Sequence, residues 1–269
     1  MKNIVLIMVF VFSALFSEQD PTALTPEDIL SRVHQNLSSG TLYTETEMRI
    51  TMGHKTLTKT FISFSEGPEK SFIEFLGPQR DKGTKILKIG KVLKIYFPSA
   101  GRIQRYSHHM LKQRLMGSDF SYEDITERSK ELNKDYTARL LDEEEFQGAP
   151  CYVVHLESKD PQRNYYTQKI WVDKEKFIGQ KVEFYARSGK LLKLLTVDEV
   201  RLIHGRFYPV KFTMQDQLRA NTKTEIMLKE IKFDIPIPED TFTERNLLWG
   251  HPIRYHPITY IQYKIYTPI

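Results

Sequence analysis

The sequence predicts a mainly β protein: one antiparallel meander rolled into a barrel or half-barrel, with a few short helices. Three observations carry this. From Thr41 onward, apolar side chains recur with period two in segment after segment, which is the repeat of a strand. The segments are short and are parted by turn signals: Gly53-His54, Gly67-Pro68, Gly77-Pro78, Gly90-Lys91, Gly148-Ala149, Ser188-Gly189 and His204-Gly205. No glycine-rich βα turn occurs, which argues against a doubly wound sheet.

The elements are justified in chain order. Lys2 precedes an apolar run from Ile4 to Leu15, followed by Ser17, Glu18 and Gln19. That is the plan of a cleaved secretory signal, expected over residues 1–17, and it is shorter than the roughly 20 residues of a spanning helix. No cysteine follows the run, so an amino-terminal lipid anchor is not expected. A helix of about twelve residues follows: Thr25 caps it, Pro26 fits its first turn, Asp28 completes a capping box, and Ser38-Ser39-Gly40 ends it. Ile29, Leu30, Val33 and Leu37 line one face, which must lie on something apolar. The first strand starts at Thr41, with Leu42, Met48, Ile50 and Met52 on one face and Tyr43, Glu45, Glu47 and Arg49 on the other. Further strands are expected at 55–65, 70–76, 84–89, 91–97, 136–146, 150–158, 165–173, 180–187, 190–202, 206–218 and 221–233. Between them, Met110 to Met116 can form a second short helix.

Several strands are apolar on both faces, as in Phe72-Ile73 with Phe75-Leu76, Leu93 with Ile95-Tyr96-Phe97, and Val182 with Phe184-Tyr185. A one-sided sheet alternates cleanly, so here both faces need cover. An outer-membrane barrel also has an apolar outer band, but Lys211, Glu225, Lys229 and Glu230 occupy alternate positions and argue against it. Residues 18–249 form the expected folded domain, and 250–269 an extended or disordered extension with the tandem near-repeat His251-Pro252-Ile253-Arg254-Tyr255 and His256-Pro257-Ile258-Thr259-Tyr260.

Charge and motifs exclude more than they assign. The net charge is +5, with cations interleaved among carboxylates rather than gathered in a nucleic-acid stripe. The lone Cys151 cannot staple the chain and reads as a core thiol, so the fold must stand on its apolar core. His108-His109 lacks a third ligand at metal-site spacing. Asp119, Glu123 and Asp124 have no basic partner in a recognisable acid–base arrangement and read as turn-stabilising carboxylates. Ser118 lacks the glycine-flanked elbow of a hydrolase. Glu143-Glu144-Glu145 reads as a solvated acidic patch, and Arg80-Asp81-Lys82-Gly83 as a charged turn or a rim contact. No catalytic residue, metal site or cofactor is expected.

The stretch from Gly83-Thr84-Lys85 to Gly101-Arg102, and above all Met116-Gly117-Ser118-Asp119-Phe120-Ser121-Tyr122-Glu123-Asp124, resembles the outer-membrane lipoprotein-sorting protein family, relatives of the periplasmic carrier LolA. Weaker likeness runs from Leu24 to Trp249. The resemblance implies an incomplete antiparallel barrel whose concave face is covered by short helices, with a hydrophobic cavity between. The family's lid arginine precedes a proline; the matching position here is Gly67, before Pro68, so that latch is not carried over.

On this reading the candidates for the cavity wall are Met48, Ile50, Phe72, Phe75, Leu93, Ile95, Phe97, Leu111, Leu115, Met116, Trp171, Phe184, Phe212 and Met214. Rim or lid candidates are Arg80, Lys82, Arg102, Asp119, Phe120 and Tyr122. The implied function is an exported, periplasmic, non-enzymatic and monomeric carrier. It would bind acyl chains of lipoproteins and meet transfer partners, inner- or outer-membrane proteins, at a membrane surface. Covering a sixteen-carbon chain is worth about 12 kcal/mol at roughly 0.8 kcal/mol per methylene. Alternatives are a carrier of free lipid serving an envelope exporter, and a lipoprotein-sensing regulatory module.

Overall fold

The computed structural model describes residues 24–127 and 131–249. Its first element is helix α1 (Pro26–Leu37). The Thr25 hydroxyl accepts from the Asp28 amide at 3.1 Å, and the Asp28 carboxylate accepts from the Thr25 amide at 3.1 Å. The capping box read from the sequence is therefore made in full.

Two meanders follow. The first comprises β1 (Thr41–Met52), β2 (Lys55–Glu66), β3 (Lys70–Gly77), β4 (Lys85–Ile89), β5 (Val92–Phe97) and β6 (Arg102–Tyr106). The second comprises β7 (Tyr136–Phe146), β8 (Ala149–Ser158), β9 (Thr167–Asp173), β10 (Gly179–Tyr185), β11 (Leu191–Ile203), β12 (Arg206–Asp216) and β13 (Thr222–Phe233). Antiparallel pairing of β1 with β13 joins them into one 13-stranded sheet. The sheet stays open, because β6 and β7 lie at opposite edges and pair only inward. This is the half-barrel expected from the sequence. β6 was not expected: Arg102-Ile103-Gln104-Arg105-Tyr106 carries too little apolar pattern to read as a strand, and suffices only because it is a five-residue edge.

Both faces of the first meander and the concave face of the second are covered. On the concave face, Met48, Ile50, Phe75, Ile86, Leu93, Ile95, Phe212, Met214 and Ile226 form one large cluster under residues 107–125. A second cluster on that face seats Ile29 and Leu30 of α1 on Val154, Leu156, Ile170, Val172 and Val182. The opposite face of the first meander presents Tyr43, Ile62, Phe64, Phe72 and Leu87. It is strapped by residues 235–249, where Phe242 and Leu247 of the last helical turns pack down. The Lys85 ammonium donates to the Asn246 carbonyl at 3.2 Å.

Residues 107–135 connect one edge of the sheet to the other. Instead of a helix over 110–116, the chain makes 3-10 turns at His108–Lys112 and Leu115–Gly117. Met116 sits at φ 51° and Gly117 at φ 85°, and two successive left-handed residues cannot continue a right-handed helix. Helices α2 (Tyr122–Glu127) and α3 (Leu132–Asp135) complete the crossover. The expected signal segment 1–17 and the expected extension 250–269 lie outside the described residues.

The turn from β9 to β10 fixes α1 at its far side. Asn36 donates its side-chain amide to the Lys176 and Phe177 carbonyls at 2.8 and 3.1 Å, and Arg32 stacks 4.7 Å from the Phe177 ring centre. Asp173 organises that turn, accepting from the Glu175 and Lys176 amides at 2.9 and 2.8 Å and from Gln180 at 3.2 Å. Burial pulls its pKa up, but the hydrogen bonds from Lys176, Glu175 and Gln180 outweigh this and hold it below the ordinary 3.8. A depressed pKa stabilises the fold above the unfolded value and loses that contribution as pH falls through the folded one. Asp173→Asn is therefore expected to cost about 1–3 kcal/mol at pH 7. In urea titrations followed by circular dichroism, the gap from wild type should close as pH drops below 3.8.

Candidate functional site

A cavity of about 270 Å³ lies between the concave face, α1 and the crossover. Its floor comes from the second meander: Ile170 on β9, Val182 and Phe184 on β10, Leu195 and Val197 on β11, Phe212 and Met214 on β12. Alternation along each strand puts these side chains on one face. Leu30, Val33 and Leu37 of α1 form one wall, and Phe120 of the crossover forms another. Phe120 meets Phe212 edge-on at 6.1 Å between ring centres.

The mouth is charged. Glu123 and Asp124 of α2, Glu131, Asp135 and Arg163 line it together with His34 of α1. Arg163 is held by Asp135 at 2.9 Å, and the His34 ring is bonded to Ser38 at 3.0 Å. A second concavity of about 660 Å³ lies at the ends of β1, β12 and β13 near His54, Arg219 and Lys223. It is wide open and lacks an apolar floor, so the smaller cavity is the candidate site.

The crossover is pinned over the cavity by polar contacts. The buried Asp119 carboxylate accepts from the Thr222 and Thr224 hydroxyls of β13 at 2.7 Å each, and its own amide donates to Thr224 at 2.9 Å. Asp124 caps α2: it accepts from the Ser121 amide at 2.6 Å and its amide donates to the Ser121 hydroxyl at 3.2 Å. The same carboxylate accepts from the Tyr165 hydroxyl at 2.8 Å and the Lys193 ammonium at 2.7 Å. Burial first, then the Asp124 charge, pushes the Tyr165 phenol far above its usual pKa, so it stays a donor. Arg114 pairs with Asp216 of β12 at 3.1 Å, and Tyr122 packs on Tyr106 of edge strand β6 at 4.8 Å between centres.

The sequence candidates fall into four groups. Phe184, Phe212, Met214 and Phe120 line the cavity. Met48, Ile50, Phe75, Leu93, Ile95, Phe97, Leu111, Leu115, Met116 and Tyr122 share the concave cluster that continues from it under the crossover, without lining it. Phe72 and Trp171 face the other way: Phe72 lies under the carboxy-terminal strap, and Trp171 packs with Cys151 and Val153 while its indole donates to Glu144 at 2.6 Å. Arg80, Lys82 and Arg102 are exposed and outside the cavity wall, while Asp119 is a buried pin. Gly67, at the family's arginine position, occupies the β2–β3 turn at φ 55°.

Sequence reasoning missed Gln168, Tyr165, Lys193 and the α1 wall as parts of the site. Only the α1 face carried a signal, its apolar stripe. Among the described residues no group of three His, Cys, Asp or Glu side chains comes together as a metal site, and no helix is long and apolar enough to cross a membrane.

Replacing Lys193 by Met leaves Asp124 buried without its cation, a loss of about 3 kcal/mol. Amide exchange across 119–125 is expected to rise about a hundredfold, with partial recovery on adding Asp124→Asn. Unchanged exchange would mean that this pair does not hold the crossover.

A family model described as an uncharacterized protein matches residues 67–249. Among solved structures, a DUF1329 family protein from Desulfovibrio piger superposes with a TM-score of 0.77 at 25% identity, covering 83% of this chain and 100% of that one. The structure described as an outer membrane lipoprotein-sorting protein domain from Vibrio parahaemolyticus gives 0.75 at 24% identity, over 83% and 98% of the two chains. A LolA superfamily protein from Nitrosomonas europaea gives 0.70 at 26% identity, over 82% and 99%. No curated protein matches the sequence.

Proposed function

The chain belongs to the outer-membrane lipoprotein-sorting protein family of the LolA-like superfamily, and on that premise we propose that it is a periplasmic carrier that holds lipoprotein acyl chains. The apolar cavity between α1, the crossover and the concave face carries this reading. Its aliphatic and aromatic floor offers an acyl chain burial at about 0.8 kcal/mol per methylene, with no chemical step.

At about 270 Å³, the cavity lies just under the range of roughly 300–1,000 Å³ usual for ligand pockets. It suits part of one chain with the crossover down. A bulkier acylated ligand requires the 107–135 crossover to lift, so loading and release become a gating step. The polar pins to Thr222, Thr224 and Lys193 are what that step breaks. Transfer would then occur against a membrane-embedded partner on either side of the periplasm.

The test is to express the chain with its own amino-terminal segment, purify it from the periplasm without detergent, and identify bound molecules by mass spectrometry. Lipoprotein acyl groups near one equivalent are expected, and Leu195→Trp, which fills the cavity, should lose them while still folding. Phospholipid in their place would favour the free-lipid carrier. A protein that stays empty after incubation with either ligand would refute the carrier reading.

A further inference from the structure

Gln168 stands out on the cavity floor. It lies on β9, between Leu156 of β8 and Phe184 of β10 in register. Alternation with Ile170, whose side chain packs under α1, turns the Gln168 side chain to the cavity. It is 6% exposed and lines the space, yet its amide makes no side-chain hydrogen bond among the described residues. Neighbouring polar groups are committed: the Tyr165 hydroxyl to Asp124 at 2.8 Å and the Tyr136 hydroxyl to the Tyr165 carbonyl at 2.9 Å. An amide carries two donors and an acceptor, and here they open onto the cavity without a partner among the described residues. A well-packed floor of Ile, Val, Leu and Phe has no need of it.

We propose that Gln168 is a specificity residue that donates a hydrogen bond to an uncharged carbonyl of the ligand, so that the cavity selects acyl esters or amides. This deepens the carrier reading and rests on it. A plain hydrocarbon leaves the amide unsatisfied. A fatty carboxylate would have to leave water beside a neutral amide, at a mouth whose charges are already paired: Asp124 with Lys193, Asp135 with Arg163 and Glu131 with Lys134. The guanidinium that might receive it, Arg163, is taken by Asp135 at 2.9 Å and stacks 5.1 Å from the Tyr136 ring centre. An ester or amide carbonyl offers an acceptor without charge, and the chain beyond it can run over Val182 and Leu195.

The experiment compares monododecanoylglycerol, dodecanoate and dodecane as competitors for an environment-sensitive fluorescent lipid in the full protein at pH 7. Wild type should bind the ester about five- to tenfold more tightly than either of the others, the worth of one hydrogen bond between neutral groups. Gln168→Leu should lose that factor for the ester alone, bind dodecane at least as well, and melt no lower than wild type. Gln168→Met provides a second variant should leucine perturb packing. Equal ester affinity in wild type and both variants, or a preference for the carboxylate, would overturn the assignment. Wild type that binds none of the three would sink the carrier reading itself, and the assignment with it. Binding of all three without discrimination would leave the carrier standing and remove only the role of Gln168.

Discussion

The pairing of β1 with β13, from Leu42 opposite Phe233 to Met52 opposite Thr222, is the constraint on which the molecule depends. Each meander alone is a series of local hairpins with two apolar faces and nothing to cover them. Joining the meanders through their first and last strands leaves β6 and β7 at the two ends of one sheet. The chain must then run from one end to the other, and residues 107–125 lie over the concave side as it does so. Openness of the sheet, position of the crossover and existence of a cavity are thus one fact. Were β6 to pair with β7, the barrel would close and the chain between them would have no need to cross the concave side.

The two faces are covered by different means. The outer face of the first meander receives a strap whose contacts are mostly apolar, with Phe242 and Leu247 buried beside Tyr43, Phe64 and Phe72. The crossover on the inner face also buries Leu115, Phe120 and Tyr122, but its fixed points are polar: Asp119 with two threonines, Asp124 with Lys193 and Tyr165, Arg114 with Asp216. Apolar contacts lose their whole value when exposed to water, whereas charged and hydroxyl groups are solvated again on opening. The strap has polar ties too, Lys85 to the Asn246 carbonyl and Lys94 to Glu244, so the contrast is one of degree.

Much of the fold was legible because its periods are regular. The Thr25 box and the stripe Ile29, Leu30, Val33, Leu37 defined α1, and the strand ranges agree with those observed to within a few residues at their ends. Two places resisted. β6 is an edge strand held by backbone pairing to β5, and backbone pairing leaves no trace in side-chain pattern. The segment 110–116 has helical spacing, but two left-handed residues at Met116 and Gly117 break it. The site was legible in part. Period two tells which residues share a face but not which face is inner, so Phe72 and Trp171 were grouped with Phe184 and Phe212 although they point outward. Lys193 and Tyr165 acquire their meaning from Asp124, which is distant in sequence. The resemblance pointed to the 116–124 run, and the structure supplies its chemistry: Asp119 is a pin, and Ser121 with Asp124 is a helix cap.

Magnitudes decide whether such a lid can serve a carrier. A neutral hydrogen bond contributes about 0.5–1.5 kcal/mol net, and one to a charged group about 1.5–3 kcal/mol. The contacts of Asp119 and Asp124 to β13, Tyr165 and Lys193 therefore hold the crossover by several kcal/mol. An acyl chain that seats even eight methylenes gains about 6 kcal/mol, the same order. The crossover also buries Leu115, Phe120 and Tyr122, at about 1.5–3 kcal/mol for each such side chain, so lifting the whole segment costs more than one chain returns. On the proposed carrier reading, the pins and the buried apolar surface together are what a partner competing for the same chain would have to overcome.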